Sequence, residues 1–283
     1  MAAVSGTPRR VTRVQLGILL REARERLEIS SKDVAEKLEW HRSKVTKLEK
    51  GATKISAPEL DRLIEIYQIE GEQADRVREL GREARKRGVM GRVPDWAQTY
   101  VELEQAAEEI KLYEGELVPA LLQTEDYARA LLATSLITPP EDAEQRAKER
   151  VRRQERLTNG SPPRLWAVVG EAALHRLVGG PAVLRGQLRW FRELAAMPHV
   201  TVQILPFSAG EHAALGTQIR ILEFADPRVT FVYLEWLTDA EYYDRPPHTD
   251  VYTLAFSKVL VAAADERASK RMLDRRIKEL GPD

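Results

Sequence analysis

Residues 31–51, SKDVAEKLEWHRSKVTKLEKG, restrict the possible folds more than any other part of the chain. Ser30, with an acidic residue three positions later, is typical of a helix N-terminus closed by a capping box. A small residue, Ala35, is followed ten and thirteen positions later by Val45 and Leu48. Two helices that meet at a tight turn need a small residue where they cross and apolar residues that seat the second helix on the first. The spacing therefore predicts a helix-turn-helix.

The polar residues of this stretch define a candidate DNA-binding surface. Their side chains can hydrogen-bond base edges or carry positive charge to phosphates. The predicted contact residues are Ser31, Lys32, His41, Arg42, Ser43, Lys44, Thr46 and Lys47. Arg42 and Ser43 are the best candidates for base reading, and the residues at 31 and 32 are expected to hold phosphate. The alternative interpretation is a lysine-rich solvated face.

The distribution of charge favours DNA over a solvated face. The net charge is zero, with 44 basic and 44 acidic residues. Residues 1–54 hold 13 Lys/Arg and 7 Asp/Glu, and the remainder holds 31 and 37. A basic N-terminal part, the head, and an acidic remainder, the body, are expected when only one domain of a protein contacts DNA phosphates.

Helical periodicity continues on both sides of the motif and predicts an all-α head of five helices. We predict a flexible arm at 1–12, the DNA-binding domain at 13–87 and a linker at 88–95, where glycine and proline break the pattern. Residues 96–283 are predicted to form a larger α+β domain. It begins with a helix at about 97–113 and has strand candidates at 164–170, 200–207, 217–224 and 228–237, which predict a small, mainly antiparallel sheet.

Residues 15–69 resemble the XRE-type, or lambda-repressor-like, five-helix DNA-binding domain. The residues that carry the resemblance are Leu20, Arg24, Ser30, Val34, Ala35, Leu38, Val45, Leu48, Glu49 and Gly51. The resemblance implies that Arg24 pairs with Glu49, which is a structural role. Glu28 and Glu39 stand where the family often has glycine, so both turns are expected to depart from the usual geometry.

The body resembles the C-terminal domain of actinobacterial WhiJ-like and antitoxin-like regulators. The resemblance is carried by YEGELVPALLQTEDYARALL (113–132), RVRRQERL (150–157), GEAALHRLVGG (170–180), QLRWFRELAAMPHVTVQILPF (187–207) and YLEW (233–236). It implies an XRE-family transcription regulator whose C-terminal domain binds a small partner protein that counters DNA binding.

We therefore predict a sequence-specific regulator that binds double-stranded DNA as a homodimer on an inverted repeat. Exposed aromatic residues would suit a partner-binding module, for which the candidates are Trp190, Phe191, Trp236, Tyr242 and Tyr243. The alternative for these aromatics is a place in the core, which is the more common one. The alternative is a small-molecule-sensing repressor with a ligand pocket in the body. An enzyme is the least favoured interpretation, and would require a cleft that gathers residues such as Glu171, His175, Glu235 or Asp250.

The remaining features of the sequence exclude several kinds of chemistry. Cysteine is absent, so there is no disulfide framework and no thiolate site for a metal or a nucleophile. The histidines lack ligand spacing, and we predict no metal, no cofactor and no catalytic residue. The chain shows neither an apolar run long enough for a membrane span nor a signal peptide, so we expect a cytoplasmic protein without membrane contact.

Overall fold

The computed structural model describes residues 9–85, 95–225, 229–237 and 240–281, and the chain divides into two compact units. The first unit ends at Ala106 and the second begins at Ala107. Among the described residues, no helix combines the length and the apolar character needed to cross a bilayer.

The described part of the first unit is entirely helical. Its elements are α1 (Arg9–Arg26), α2 (Ser31–Lys37), α3 (Arg42–Glu49), α4 (Ala57–Ile66), α5 (Gly71–Arg85) and α6 (Asp95–Ala106). The capping box of Ser30 with Asp33 is confirmed, and the capping-box pattern at Ser56 and Glu59 likewise predicts the start of α4. In both, the serine hydroxyl accepts the backbone N–H of the acidic residue, and the carboxylate accepts the serine backbone N–H. These bonds join residues three apart, so α2 and α4 begin where the sequence predicts.

The core of the first unit forms from the apolar faces of α1 to α5. Leu20, Val45, Leu63 and Val77 are each fully buried within it, one from each of four helices. Burying a side chain of this kind contributes about 1.5–3 kcal/mol, and this core holds the helix-turn-helix in place.

The ends of the first four helices share one backbone motif. The residue after each helix cap has a positive φ, at Glu28 (55°), Glu39 (54°), Gly51 (64°) and Gln68 (50°). The next N–H then bonds back five residues, as from Trp40 to the Ala35 carbonyl at 2.8 Å. Glycine favours this left-handed conformation, and glutamate and glutamine adopt it at a cost. The expected departure from the usual turn geometry at Glu28 and Glu39 is therefore wrong, since both adopt the backbone conformation that glycine would provide.

The second unit is built around a mixed sheet of six strands within the described residues. The strands are β1 (Glu109–Glu114), β2 (Arg164–Gly170), β3 (Val200–Leu205), β4 (Ile219–Phe224), β5 (Val229–Glu235) and β6 (Ala240–Tyr243). Their order is β3-β2-β1-β4-β5-β6. The pairs β1–β2 and β2–β3 are parallel and the other three pairs are antiparallel, so the predicted fold class is confirmed.

The helices of the second unit form the crossovers and the C-terminal end. They are α7 (Glu125–Leu132), α8 (Ala143–Arg152), α9 (Glu155–Thr158), α10 (Ala172–His175), α11 (Pro181–Leu194), α12 (His248–Ala262) and α13 (Glu266–Glu279). The first three connect β1 to β2, and the next two connect β2 to β3, which is what parallel neighbours require. Helix α12 covers β1, β3, β4 and β5, while α13 packs on α11 and β3.

The predicted helix at 97–113 is wrong in its second half. The helix ends at Ala106, and Glu109–Glu114 instead form β1, the strand between parallel β2 and antiparallel β4. The segment EIKLYE contains no glycine or proline to mark the change. Pairing with strands about 50 and 110 residues later decides its conformation, so local sequence does not reveal it.

The predicted domain boundaries stay a prediction. Residues 1–8 of the predicted arm lie outside the described residues, and α1 already begins at Arg9. Of the predicted linker, 88–94 lies outside them, and Asp95 begins α6.

Candidate nucleic-acid interface

The packing trio of the helix-turn-helix is confirmed. Ala35 is 3% exposed, Val45 0% and Leu48 3%, and all three belong to one core with α1 and α4. Because α2 and α3 are seated through these residues, the intervening polar positions of α3 are turned to solvent. Gly51 then ends α3 with a positive φ, in a space where a Cβ atom would lie 2.8 Å from the Val14 backbone nitrogen.

The Arg24–Glu49 pair is confirmed as an internal contact. Arg24 Nε donates to Glu49 Oε1 at 2.6 Å and Nη2 donates to Oε2 at 2.9 Å, a bidentate arrangement. The third guanidinium nitrogen donates to the Ile29 carbonyl at 2.9 Å. Hydrogen bonding to Glu49 raises the pKa of Arg24. The pair therefore ties α1 to α3 and to the start of α2, and neither side chain is free for DNA.

The predicted contact residues differ in how accessible they are. His41, Ser43, Thr46, Lys47 and Lys32 are exposed, whereas Ser31 and Lys44 are half-buried. Arg42 is the first residue of α3. Lys32 lies 3.6 Å from Glu36 on the surface of α2.

His41 has a local role that its sequence does not signal. It is the N-cap of α3, and its Nδ1 accepts the Ser43 N–H at 3.3 Å and lies 2.8 Å from the Ser43 hydroxyl. Histidine is not among the usual N-cap residues, so sequence reasoning assigned it only to the exposed face. Because Nδ1 accepts the N–H, the ring proton lies on Nε2, where it can donate outward.

Lys44 is held by the protein rather than directed to solvent. Its Nζ lies 2.5 Å from Glu59 Oε1 and 4.0 Å from the centre of the Trp40 ring. The bond from Lys44, followed by those from Ser56, lowers the pKa of Glu59 to about 2. This contact joins residues fifteen apart through the tertiary fold, so the sequence did not reveal it. The Lys44 side chain is still 35% exposed, and its predicted contact with phosphate stays a prediction.

Glu39 lies in the turn between the two helices and is exposed. Glu39 therefore places a negative charge in the turn that leads into α3.

Two family models match the chain. One, described as a helix-turn-helix domain, matches residues 15–77, which include α2 and α3. The other, a domain of unknown function (DUF5753), matches residues 97–275, which is more than half of the chain. The chain belongs to the DUF5753 family. No curated protein and no solved structure matches it.

In this DUF5753 protein, the helix-turn-helix match together with the buried packing trio supports a DNA-binding regulator rather than an enzyme. The DUF5753 description leaves the function of the second unit open. Within the described ranges, no group of three His, Asp or Glu side chains could hold a metal ion.

The aromatic residues predicted as candidates for a partner surface differ in solvent exposure. Phe191 is fully buried, and Trp190, Tyr242 and Tyr243 are half-buried. Trp236 is 55% exposed. On α12, the outward residues Val251, Leu254 and Val261 are 62%, 58% and 86% exposed.

Proposed function

We propose that the protein is a sequence-specific transcription regulator that reads DNA with the exposed face of α3. The observation that carries this is the seating of α3 by Val45 and Leu48, which turns His41, Ser43, Thr46 and Lys47 to solvent together. Arg42 belongs to the same proposed set because the first residues of a recognition helix meet base edges. Ser31, Lys32 and Lys44 are proposed to contact phosphate, and Lys44 also supports α3 through its ion pair with Glu59.

The proposed DNA-bound state is a homodimer on an inverted repeat. One α3 helix covers only a few base pairs, so affinity and specificity at a single site are limited. Two copies related by a two-fold axis would place two α3 helices about one DNA turn apart. A selection of bound sequences from random DNA is expected to return an inverted repeat with that spacing, and the complex is expected to contain two protein chains. A single half-site bound by one chain would contradict the dimer.

The second unit is proposed to bind a small partner protein that modulates DNA binding, as in WhiJ-like and antitoxin-like regulators. Supporting this, the exposed apolar residues Val251, Leu254 and Val261 share one face of α12 with the exposed Lys258, and Trp236 is exposed on the same unit. Exposed apolar patches of this kind commonly mark protein–protein contacts.

A second proposed function is that of a small-molecule sensor, with the ligand in the second unit. The observation that favours it is a crevice of about 670 Å³ at one end of the sheet. Loss of operator binding on addition of a ligand would support the sensor, and loss on addition of a small partner protein would support the partner-binding module.

Glu39 allows the DNA-binding surface to be tested with two variants of one position. Glu39→Gln removes the negative charge. Glu39→Gly removes the charge as well, and it also removes the steric strain of a side chain at a positive φ. Both are expected to tighten operator binding about two- to fivefold by gel shift, because a like charge near phosphate is lost. Only the glycine variant is expected to stabilise the first unit, by about 0.5–1 kcal/mol in thermal unfolding.

The control is Glu72→Gln on α5, a helix that packs on α1 and α4, and it should leave affinity unchanged. If Glu39→Gln also leaves affinity unchanged, position 39 does not approach DNA.

A further inference from the structure

The carboxyl ends of the three parallel strands meet at one edge of the sheet and open into a crevice. β1 ends at Glu114, β2 at Gly170 and β3 at Leu205, and the antiparallel β4 begins beside them. β1 is the point at which the sheet changes from parallel to antiparallel pairing. Crevices outside the carboxyl ends of strands at such a point are preferred ligand sites in α/β sheets. A Cβ atom on Gly170 would lie 2.1 Å from the Gly115 carbonyl oxygen, so the two strand ends approach too closely for a side chain here.

The loop from β3 to β4, residues 206–218, forms the apolar wall of the crevice. Phe207 and Leu215 line it and are 65% and 71% exposed, an unusual state for large apolar side chains in one loop. Leu117 and Leu205 line it as well. A ligand with an apolar body would cover these surfaces.

The polar part of the crevice carries excess negative charge. Three carboxylates line it, those of Glu114, Glu116 and Glu171, against one guanidinium, that of Arg176. Glu114 lies 2.6 Å from Arg220, which is outside the lining, and burial raises the pKa of Glu114, which favours its neutral form. Glu171 accepts the Phe207 N–H at 2.8 Å and lies 3.9 Å from His175 Nε2.

The third carboxylate that lines the crevice has its own guanidinium partner. Glu116 forms an ion pair with Arg176 at 2.6 Å, and both side chains line the crevice. Glu114 lies beside Arg220 and Glu116 beside Arg176, so the negative charge that no guanidinium balances belongs to Glu171.

A hydrogen-bond donor also points into the crevice. Tyr113 is 3% exposed, and its hydroxyl lies 3.3 Å from His212 Nε2. His212 Nδ1 accepts the Ala214 N–H at 3.3 Å, so the ring proton lies on Nε2 and the phenol oxygen accepts it. Within the part of the chain that the structure describes, the phenol proton then has no acceptor. Burial raises the pKa of Tyr113, which keeps that proton in place.

We propose that this crevice binds a small molecule that carries a protonated amine beside a hydrogen-bond acceptor on an apolar body. The amine faces the carboxylate of Glu171, the acceptor takes the Tyr113 proton, and the apolar body covers Phe207 and Leu215. The inference rests on the second proposed function, that of a ligand sensor, and gives it a site and a ligand class.

Two commercial probes separate the charge from the shape of the ligand. L-Phenylalaninamide has a free amine beside a carbonyl on a benzyl body, and N-acetyl-L-phenylalaninamide keeps the carbonyl and the body but lacks the charge. Isothermal titration calorimetry on the full chain without DNA is expected to show binding of the first probe. The second probe is expected to bind at least about tenfold more weakly, because its charge-assisted bonds are lost.

Two variants and a control test whether the amine probe binds in the crevice. Glu171→Gln retains an acceptor for the Phe207 N–H but loses the charge, and is expected to weaken the amine probe about tenfold or more. Tyr113→Phe is expected to weaken it about two- to tenfold. Glu193→Gln, an exposed carboxylate on α11, is the matched control and should bind as the wild type does. Circular dichroism melts confirm that each variant is folded.

The results distinguish the site from the sensing function. Equal binding of both probes, no binding of the amine probe, or full affinity in folded Glu171→Gln would overturn the proposed site. If the amine probe binds as expected but leaves operator affinity unchanged in a gel shift, the site stands and the sensor function is wrong.

Discussion

Glu49→Ala is expected to destabilise the first unit by about 3–5 kcal/mol, because it leaves the Arg24 guanidinium buried without its carboxylate. The two side chains are only 13% and 7% exposed, so water cannot replace the lost bonds. Hydrogen–deuterium exchange of α1 and α3 amides, together with urea unfolding followed by circular dichroism, measures the loss. DNA binding is expected to fall with it, since the pair holds α3 to α1.

The matched control is Glu25→Ala, which removes an exposed carboxylate that lies 3.5 Å from the same arginine. Exposed pairs contribute about 0–1 kcal/mol, so this variant should be nearly neutral. The double variant Arg24→Met with Glu49→Leu is expected to lose much less than Glu49→Ala, because no uncompensated charge remains. Equal losses in Glu49→Ala and Glu25→Ala would show that the pair does not hold α3.

Arg42→Ala is expected to weaken operator binding by about 1–3 kcal/mol and to relax sequence preference at one base position, because we propose that it reads a base edge. Lys47→Ala is expected to weaken binding to all sequences similarly and to reduce the slope of log affinity against log salt by about 1. Gel shifts with the protein's own promoter region over a range of salt concentrations measure both effects.

Arg82→Ala removes an exposed cation from α5 and should retain wild-type affinity and salt dependence. Wild-type affinity in both Arg42→Ala and Lys47→Ala would show that α3 is not the reading helix.

Local signals account for what the sequence predicted well. Ser30 and Ser56 form capping-box hydrogen bonds with acidic residues three positions later, so the starts of α2 and α4 could be predicted without tertiary information. Strand β2 was predicted with its observed bounds, because its run of β-branched and apolar residues is buried in the middle of a sheet.

Longer-range contacts account for the misassigned elements. β1 was assigned to a helix because its pairing partners, β2 and β4, lie far along the chain. The predicted phosphate contact of Lys44 stays a prediction, but its bond to Glu59 could not be foreseen, because that residue comes fifteen positions later and approaches only when α3 and α4 pack together.

The helix-turn-helix follows from local sequence, because the spacing of Ala35, Val45 and Leu48 sets which face of α3 packs against the core. That orientation divides the polar residues of 31–51 into an inward Glu49 and an outward set. The ion pair of Lys44 with Glu59 and the crevice at the carboxyl ends of β1, β2 and β3, which Tyr113 and Glu171 line, became evident from the folded chain. Helix faces follow from a period of a few residues, whereas ion pairs and crevices between distant segments depend on packing that no local pattern encodes.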